Sequence, residues 1–431
     1  MTNPRLSRES SHSSRLARKL GTTDAVMIGL GSMIGVGVFA AIGPAAAAAG
    51  SGLLLGLVIA AFIAYCNATS SAELAALYPE SGGTYVYGRK RLGPFWGFLA
   101  GWGFVIGKLA SCAAMALTFA FYAAPSSSRP LAVGAVIALT AVNYFGVTKT
   151  ALLTRVIVTI VLASLAIVVA AVVFGGAADV SRLQPLTTGG LYGILQAAGL
   201  LFFAFTGYAR IATLGEEVVD PARTIPRAIP MALAITLVVY ALVAVSALLA
   251  VDVATLAQAP APLRAAVEAG RWGFLSPVVR IGATVASLGV LLSLLAGVSR
   301  TAFAMASDHD LPSFLAAVHP RYRVPHHAEL AVGTIVATIA AVADIRDAIG
   351  FSSFAVLTYY AVANASAFTL SPAERRWPRG LAVCGVVGCA ILAFSLPINA
   401  VIGGSALLIA GAAVFVLRTK TGRRAGRAGH K

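Results

Sequence analysis

Between Asp24 and Glu73 the chain runs for 48 residues, Ala25 to Ala72, without one charged side chain. One helix crossing a bilayer needs about 20 apolar residues, so this run alone holds material for two. Similar apolar runs recur along the whole length. Of the 431 residues, 58% are hydrophobic and 11% charged, whereas a soluble domain carries about 25% charged residues. The runs do not alternate apolar and polar residues in segments of about 10, as the strands of a membrane barrel would. The predicted fold class is therefore an all-α polytopic membrane protein.

Bounding the apolar runs by Gly, Pro and charge predicts 12 transmembrane helices. They fall at about 24–49, 53–77, 94–123, 130–146, 152–175, 190–214, 228–250, 274–304, 328–346, 349–370, 381–396 and 398–417. Placing the connecting loops on alternate sides puts 24 Lys and Arg on the side of both termini and 6 on the other. The positive-inside rule then sets both termini in the cytoplasm of a multi-pass protein of the plasma (inner) membrane. It also explains the net charge of +16 by the anionic inner leaflet, with no nucleic-acid partner. Residues 1–20 read as a basic cytoplasmic tail and 418–431 as a second, both disordered. The apolar run after Asp24 exceeds the 7–15 residues or so of a cleaved signal peptide, so the first span is expected to be retained. Two basic residues escape the count: Lys108, mid-way along the third span, and Arg210, in the sixth.

The four cysteines, Cys66, Cys112, Cys384 and Cys389, all lie inside apolar runs and read as buried thiols rather than disulfides. "CGVVGC" lacks zinc-site spacing and has no nearby histidine. The six histidines lie in loops or tails. No metal and no cofactor is expected. Nor does the chain offer a nucleophile–base pair, a G-x4-GK[ST] phosphate loop or a filter motif, which argues against an enzyme, an ATP-driven pump and a channel.

The first span is built against its own interest. In "MIGLGSMIGVGVFAAIGPAAAAAGSG" glycines recur at 29, 31, 35, 37, 43, 50 and 52, with Pro44 among them, and both residue types weaken helices. One reading is packing, since Gly31-x3-Gly35 is a small-xxx-small face. The other is a break, which survives at membrane depth only against protein or a water-filled cavity. Five spans later "LFFAFTGYARIATLGEE" carries a milder interruption at Thr206-Gly207. A five-span offset fits two inverted five-helix repeats, at about 21–175 and 190–370, followed by two additional helices at about 381–417. Secondary transporters place such paired discontinuous helices at the substrate. A dinucleotide loop is ruled out, because G-x-G needs a preceding strand.

The chain resembles the amino acid–polyamine–organocation superfamily of permeases, closest in motifs to the cationic amino acid transporter branch. Four stretches carry the likeness: "GLGSMIGVGVF", "YPESGGTYVYGRKRLGPFWGFLAGW", "FFAFTGYARIATLGEEVVDPARTIPRAI" and "SRTAFAMASDHDLPSFLAAVHPRYRVPHHA". The resemblance implies a single 12-helix transporter domain over 21–417 with a LeuT-like fold, discontinuous in helices one and six. It implies a secondary active permease moving amino acids by alternating access. The backbone N–H groups of Gly35, Val36 and Gly37 would face the substrate carboxylate. The carbonyls of Met33, Phe203 and Thr206 would accept from its ammonium, beside Gly207. Phe203 and Phe205 would form an aromatic gate. The alternatives are a polyamine or organic-cation transporter of the same family, and a transport-inactive sensor or partner subunit.

Three departures from the family pattern stand out. Many members carry a lysine mid-way along span five; here that position is about Val161, and no charge follows Arg155 in the span. Lys108 is the alternative amine for coupling to H+, with Ser287 and Ser293 of span eight as a less favoured route to Na+. An acid often follows the span-six aromatic in the cationic branch, but Tyr208 is followed by Ala209 and Arg210. That points away from arginine or lysine and toward neutral or acidic amino acids. Arg210, Glu216 and Glu217 are gating candidates at the cytoplasmic mouth, where Pro221 and Pro226 are expected to fix a turn. Asp308, His309 and Asp310 are expected to form a structural turn, not a metal site.

Overall fold

In lipid each backbone N–H and C=O must find its partner within its own segment, and every long apolar run here is helical. The computed structural model describes residues 20–78, 82–146, 151–187, 189–212 and 218–428. Nine helical segments among the described residues are long and apolar enough to cross a membrane, and two shorter apolar helices accompany them.

The first apolar run forms three pieces, α1 (Thr22–Met33), α2 (Val36–Ala40) and α3 (Ile42–Ala49). Then come α4 (Leu53–Leu77), the short α5 (Thr84–Arg91), α6 (Pro94–Ala123), α7 (Ser128–Tyr144) and α8 (Ala151–Phe174). The sixth run forms α9 (Gly190–Phe205) and α10 (Ala209–Ala212). They are followed by α11 (Pro221–Ala250), α12 (Val253–Gln258), α13 (Pro262–Glu268) and α14 (Ser276–Ser307). The chain closes with α15 (His326–Val342), α16 (Ile345–Phe368), α17 (Arg379–Ser395) and α18 (Ile398–Ala428). Only 17% of the Ile398–Thr419 stretch is buried although it is strongly apolar, so its outer face suits lipid.

Two expected boundaries move. The seventh span begins not at 228 but at Pro221, which opens α11, while Pro226 and Pro230 lie inside the helix rather than in a turn. A proline in a helix leaves the carbonyl four residues back without its amide partner. For Pro226 that carbonyl is Ala222 O, and the Arg376 guanidinium donates to it. The last helix continues to Ala428, past the expected end at 417. Residues 1–19 lie outside the described part. All four cysteines are free thiols, but Cys384 is exposed on the outer surface rather than buried.

Arginines at both ends of the bundle hold backbone carbonyls and carboxylates. At the arginine-poor end, four of the six arginines cap helix C-termini, where orphan carbonyls concentrate negative charge. Arg129 donates to Ala341 O at 2.7 Å and Arg280 to Tyr122 O at 2.9 Å and Ala123 O at 2.6 Å. Arg182 donates to Leu249 O at 3.0 Å, and Arg346 to Ala257 O. At the other end, arginines pair with carboxylates and tie loops together. The nearly buried Asp310 takes Arg89 at 2.9 Å, the Tyr85 hydroxyl at 2.7 Å, and Arg418. Asp308 shares the same Tyr85 hydroxyl at 2.7 Å. Burial, then these two carboxylates, push the Tyr85 phenol far up, so it remains a donor. Asp308, His309 and Asp310 form a turn after α14, held by these contacts.

Candidate functional site

Helix one stops at Met33. Ile34 takes φ −78°, ψ 66°, an inverse γ-turn, and the Gly35 N–H returns to Met33 O at 2.7 Å. Gly35 caps α2, which starts at Val36. Its first N–H groups, those of Val36 and Gly37 included, have no partner inside the helix. Helix six is interrupted less: α9 ends at Phe205, a 3-10 turn covers Thr206–Tyr208, and α10 follows directly.

The two interruptions lie against each other. A Cβ on Gly37 would run into the backbone and side chain of Ala204, and one on Gly207 into Ser32 C=O and Met33 N. Each break therefore presents a glycine to the other helix, and no larger residue fits the approach. The other two glycines of the motif face different neighbours. A Cβ on Gly31 would lie 2.9 Å from Val158 on α8, and one on Gly35 2.5 Å from Val290 on α14.

Side chains from three further helices hold the released backbone groups. The Tyr240 hydroxyl on α11 donates to Met33 O and, at 3.0 Å, to Ala204 O, bridging both breaks with one group. The Tyr360 hydroxyl on α16 donates to Thr206 O at 3.2 Å. The Thr206 hydroxyl donates to Phe203 O at 3.0 Å and accepts from Lys108 Nζ at 3.1 Å. Lys108 on α6 is only 5% exposed. A buried ammonium in a membrane span needs such a partner.

The structure brings Met33, Gly35, Gly37, Phe203, Phe205, Thr206, Gly207 and Lys108 into one region, and Val36 enters it through its backbone. Phe203 and Phe205 are both buried; the Phe205 ring packs edge-on against Tyr240, with centroids 5.2 Å apart. Val161, at the position of the family's lysine, is buried. Ser287 is fully buried, and its hydroxyl has no partner among the described residues. Ser293 back-bonds to Gly289 O at 3.1 Å in its own helix. Arg210 is exposed on α10, three residues past Gly207; Glu216 and Glu217 lie outside the described residues.

Sequence reasoning missed Tyr240 and Tyr360. The signal was there: a tyrosine inside an apolar span needs an acceptor for its hydroxyl, and broken helices are where spare carbonyls occur. It also missed the anchoring of helix one. Asp24 accepts from Gly21 N at 3.2 Å, the return half of a capping arrangement, and pairs with Arg155 of α8. Leu20 forms an isolated parallel bridge with Val218, and Val219 N donates to Leu20 O at 2.9 Å.

The fold defines a multi-pass helical membrane protein with two interrupted helices crossing at its centre. Residues 24–417 match the amino acid permease family model, and the chain belongs to that family, within the wider superfamily it resembles. It is 62% identical to an uncharacterized transporter of Mycobacterium tuberculosis, over 95% of this chain and 93% of the relative. It is 27% identical to the branched-chain amino acid permease BcaP of Bacillus subtilis, over 86% and 84%. It is 29% identical to the human cationic amino acid transporter 4, over 84% of this chain and 61% of that protein. Family and relatives alike are transporters, and so is this chain.

Proposed function

We propose that this transporter is a secondary active permease that moves amino acids across the plasma membrane by alternating access around helices one and six. In this reading the chain makes 12 crossings with both termini in the cytoplasm, and two inverted five-helix repeats supply the interrupted helices. The observation that carries it is the contact between two breaks five spans apart, Gly37 against Ala204 and Gly207 against Ser32. That irregular backbone at the centre of a membrane domain is costly unless it is used.

The substrate carboxylate would rest on the N–H groups that open α2, those of Val36 and Gly37, with Gly35 turning away to Met33. The ammonium would be received by the carbonyls of Met33, Phe203 and Thr206. These are the carbonyls engaged here by Tyr240, the Thr206 hydroxyl and Tyr360. A carbonyl has two lone pairs; Met33 O already accepts from the Gly35 N–H and Tyr240, and Phe203 O from the Thr206 N–H and hydroxyl, so at these two the ammonium would displace a hydroxyl. Phe203 and Phe205 would close over it, and Arg210, Glu216 and Glu217 would act at the cytoplasmic mouth.

Coupling to H+ would run through Lys108, whose Nζ reaches the helix-six break at Thr206 where the family's span-five lysine is missing. The orphan hydroxyl of Ser287, with Ser293 on the same helix, is the competing route, to Na+. Uptake into proteoliposomes of an amino acid and polyamine panel, under imposed proton or sodium gradients, tests the whole reading. Proton-driven uptake of an amino acid is expected. Movement of polyamines alone would replace amino acids as substrate, and an inert panel would favour a sensor or partner subunit. Lys108→Ala should abolish pH-driven uptake with the protein still in the membrane; unchanged uptake removes Lys108 from coupling.

A further inference from the structure

At the crossing of the two breaks Lys108 has no carboxylate partner among the described residues. Lys108 Nζ has three protons to donate, and its protein partner is a neutral hydroxyl, Thr206 Oγ1 at 3.1 Å. None of the ion pairs among the described residues includes it. Two of the buried carboxyls are committed elsewhere, and the third, Glu329, keeps a buried Oε2 with no partner among the described residues but forms no ion pair with Lys108. Glu73 Oε1 accepts from Arg376 N and Trp377 N at 2.6 and 2.7 Å. Asp310 is held by Arg89 and Arg418. Glu329 sits in the first turn of α15, beside Ser299 and Arg300 of α14.

We propose that Lys108 is a charge filter on the substrate side chain: the site accepts neutral and anionic amino acids and rejects lysine, arginine and organic cations. This rests on the permease reading above, in which the substrate lies at the two breaks. Every amino acid brings the same α-ammonium, which the carbonyls of the breaks can receive. Only the side chain differs, and a cationic one would leave water to lie beside an ammonium with no carboxylate to replace its hydration. Two like charges about 6 Å apart, at an effective dielectric of about 20, cost about a hundredfold in affinity. The inference runs against what the names of the cationic relatives would suggest for this chain.

Matched pairs isolate the side-chain charge: norleucine against lysine, and citrulline against arginine. Competition is read by counterflow in proteoliposomes, which needs no ion gradient. In the wild type, norleucine is expected to compete about a hundredfold better than lysine. Lys108→Met should narrow that gap to below about tenfold, while Lys108→Arg should keep it. Lysine competing as well as norleucine in the wild type overturns the filter and leaves the permease reading standing. A gap unchanged in Lys108→Met removes Lys108 from the discrimination; if that variant fails to reach the membrane, Lys108→Gln carries the same comparison. Counterflow of no amino acid at all overturns the permease reading and the filter together.

Discussion

Helix one and helix six meet at their interruptions, yet the two breaks are built differently. Helix one truly opens: two residues, Ile34 and Gly35, leave the helical path, and the chain restarts at Val36. Helix six only tightens, with Thr206 at φ −64°, ψ −8° and Ala209 still in the helical region. The open break is held mainly by backbone and one borrowed hydroxyl, the Gly35 N–H and Tyr240 on Met33 O. The tightened break is held by side chains, Thr206 itself, Tyr360 and Lys108. An opened helix bares donors that a ligand can use. A tightened one keeps its ladder and offers polar side chains instead. The pair thus divides recognition from control, and the comparison can be broken at several points.

The steepest test is steric. Gly37→Val and Gly207→Val each place a branched side chain where a Cβ alone already meets backbone of the opposite helix. Overpacking costs about 1–3 kcal/mol where neighbours can yield; backbone cannot yield, so the upper end or beyond is expected. Both variants should lose transport and much of their detergent-solubilised monodisperse fraction. Gly297→Val, at a position with no atom within 4 Å of an added Cβ, should keep both. Wild-type behaviour in Gly37→Val would mean the helices do not meet at this crossing.

Hydroxyl deletions come next and ask whether the breaks depend equally on their tethers. Tyr240→Phe removes a bridge between Met33 O and Ala204 O, and Tyr360→Phe removes one bond to Thr206 O. A hydrogen bond between membrane helices contributes about 1–2 kcal/mol at most. Tyr240→Phe should therefore lower Tm the more, because it frees both helices, whereas Tyr360→Phe leaves Thr206 held by Lys108. A larger loss in Tyr360→Phe would reverse the assignment of support between the two breaks.

Much of this architecture was legible because charge and punctuation mark membrane spans. Residues 53–77 and 94–123 are helical from end to end as expected, bounded by Gly52 and Tyr78 and by Gly93 and Ala124. The position of both breaks was also legible, because the glycine cluster of the first span recurs as a milder interruption at Thr206-Gly207 five spans later. What stayed hidden depended on partners distant in sequence. "PARTIPRAIP" reads as a turn because its prolines spoil a helix. It is a helix because Arg376, more than a hundred residues on, donates to the carbonyl that Pro226 abandons. Likewise Lys108 was visible as an anomaly, but its contact with Thr206 spans 98 positions. No local pattern encodes such a pairing.

The smallest expected effect lies where helix one enters the bundle, and it tests whether the opened helix is also the one that swings. Asp24 ties that end to Arg155 of α8, while Leu20 bridges to Val218 just beyond helix six. The Arg155 side chain is 52% exposed and that of Asp24 19%, so the pair is partly screened and worth about 0.2–1 kcal/mol. Asp24→Asn should then raise the population open at this end by no more than about fivefold. The alkylation rate of a thiol at the helix-one break, introduced by Ser32→Cys, reads that population directly. Because the pair is half in solvent, high salt should move the Ser32→Cys rate with Asp24 intact toward that of the double variant. Equal rates at low salt would mean that the Leu20–Val218 bridge holds the entrance by itself. Helix one would then be fastened to the segment after helix six, and the two breaks would have to move as one body rather than in turn.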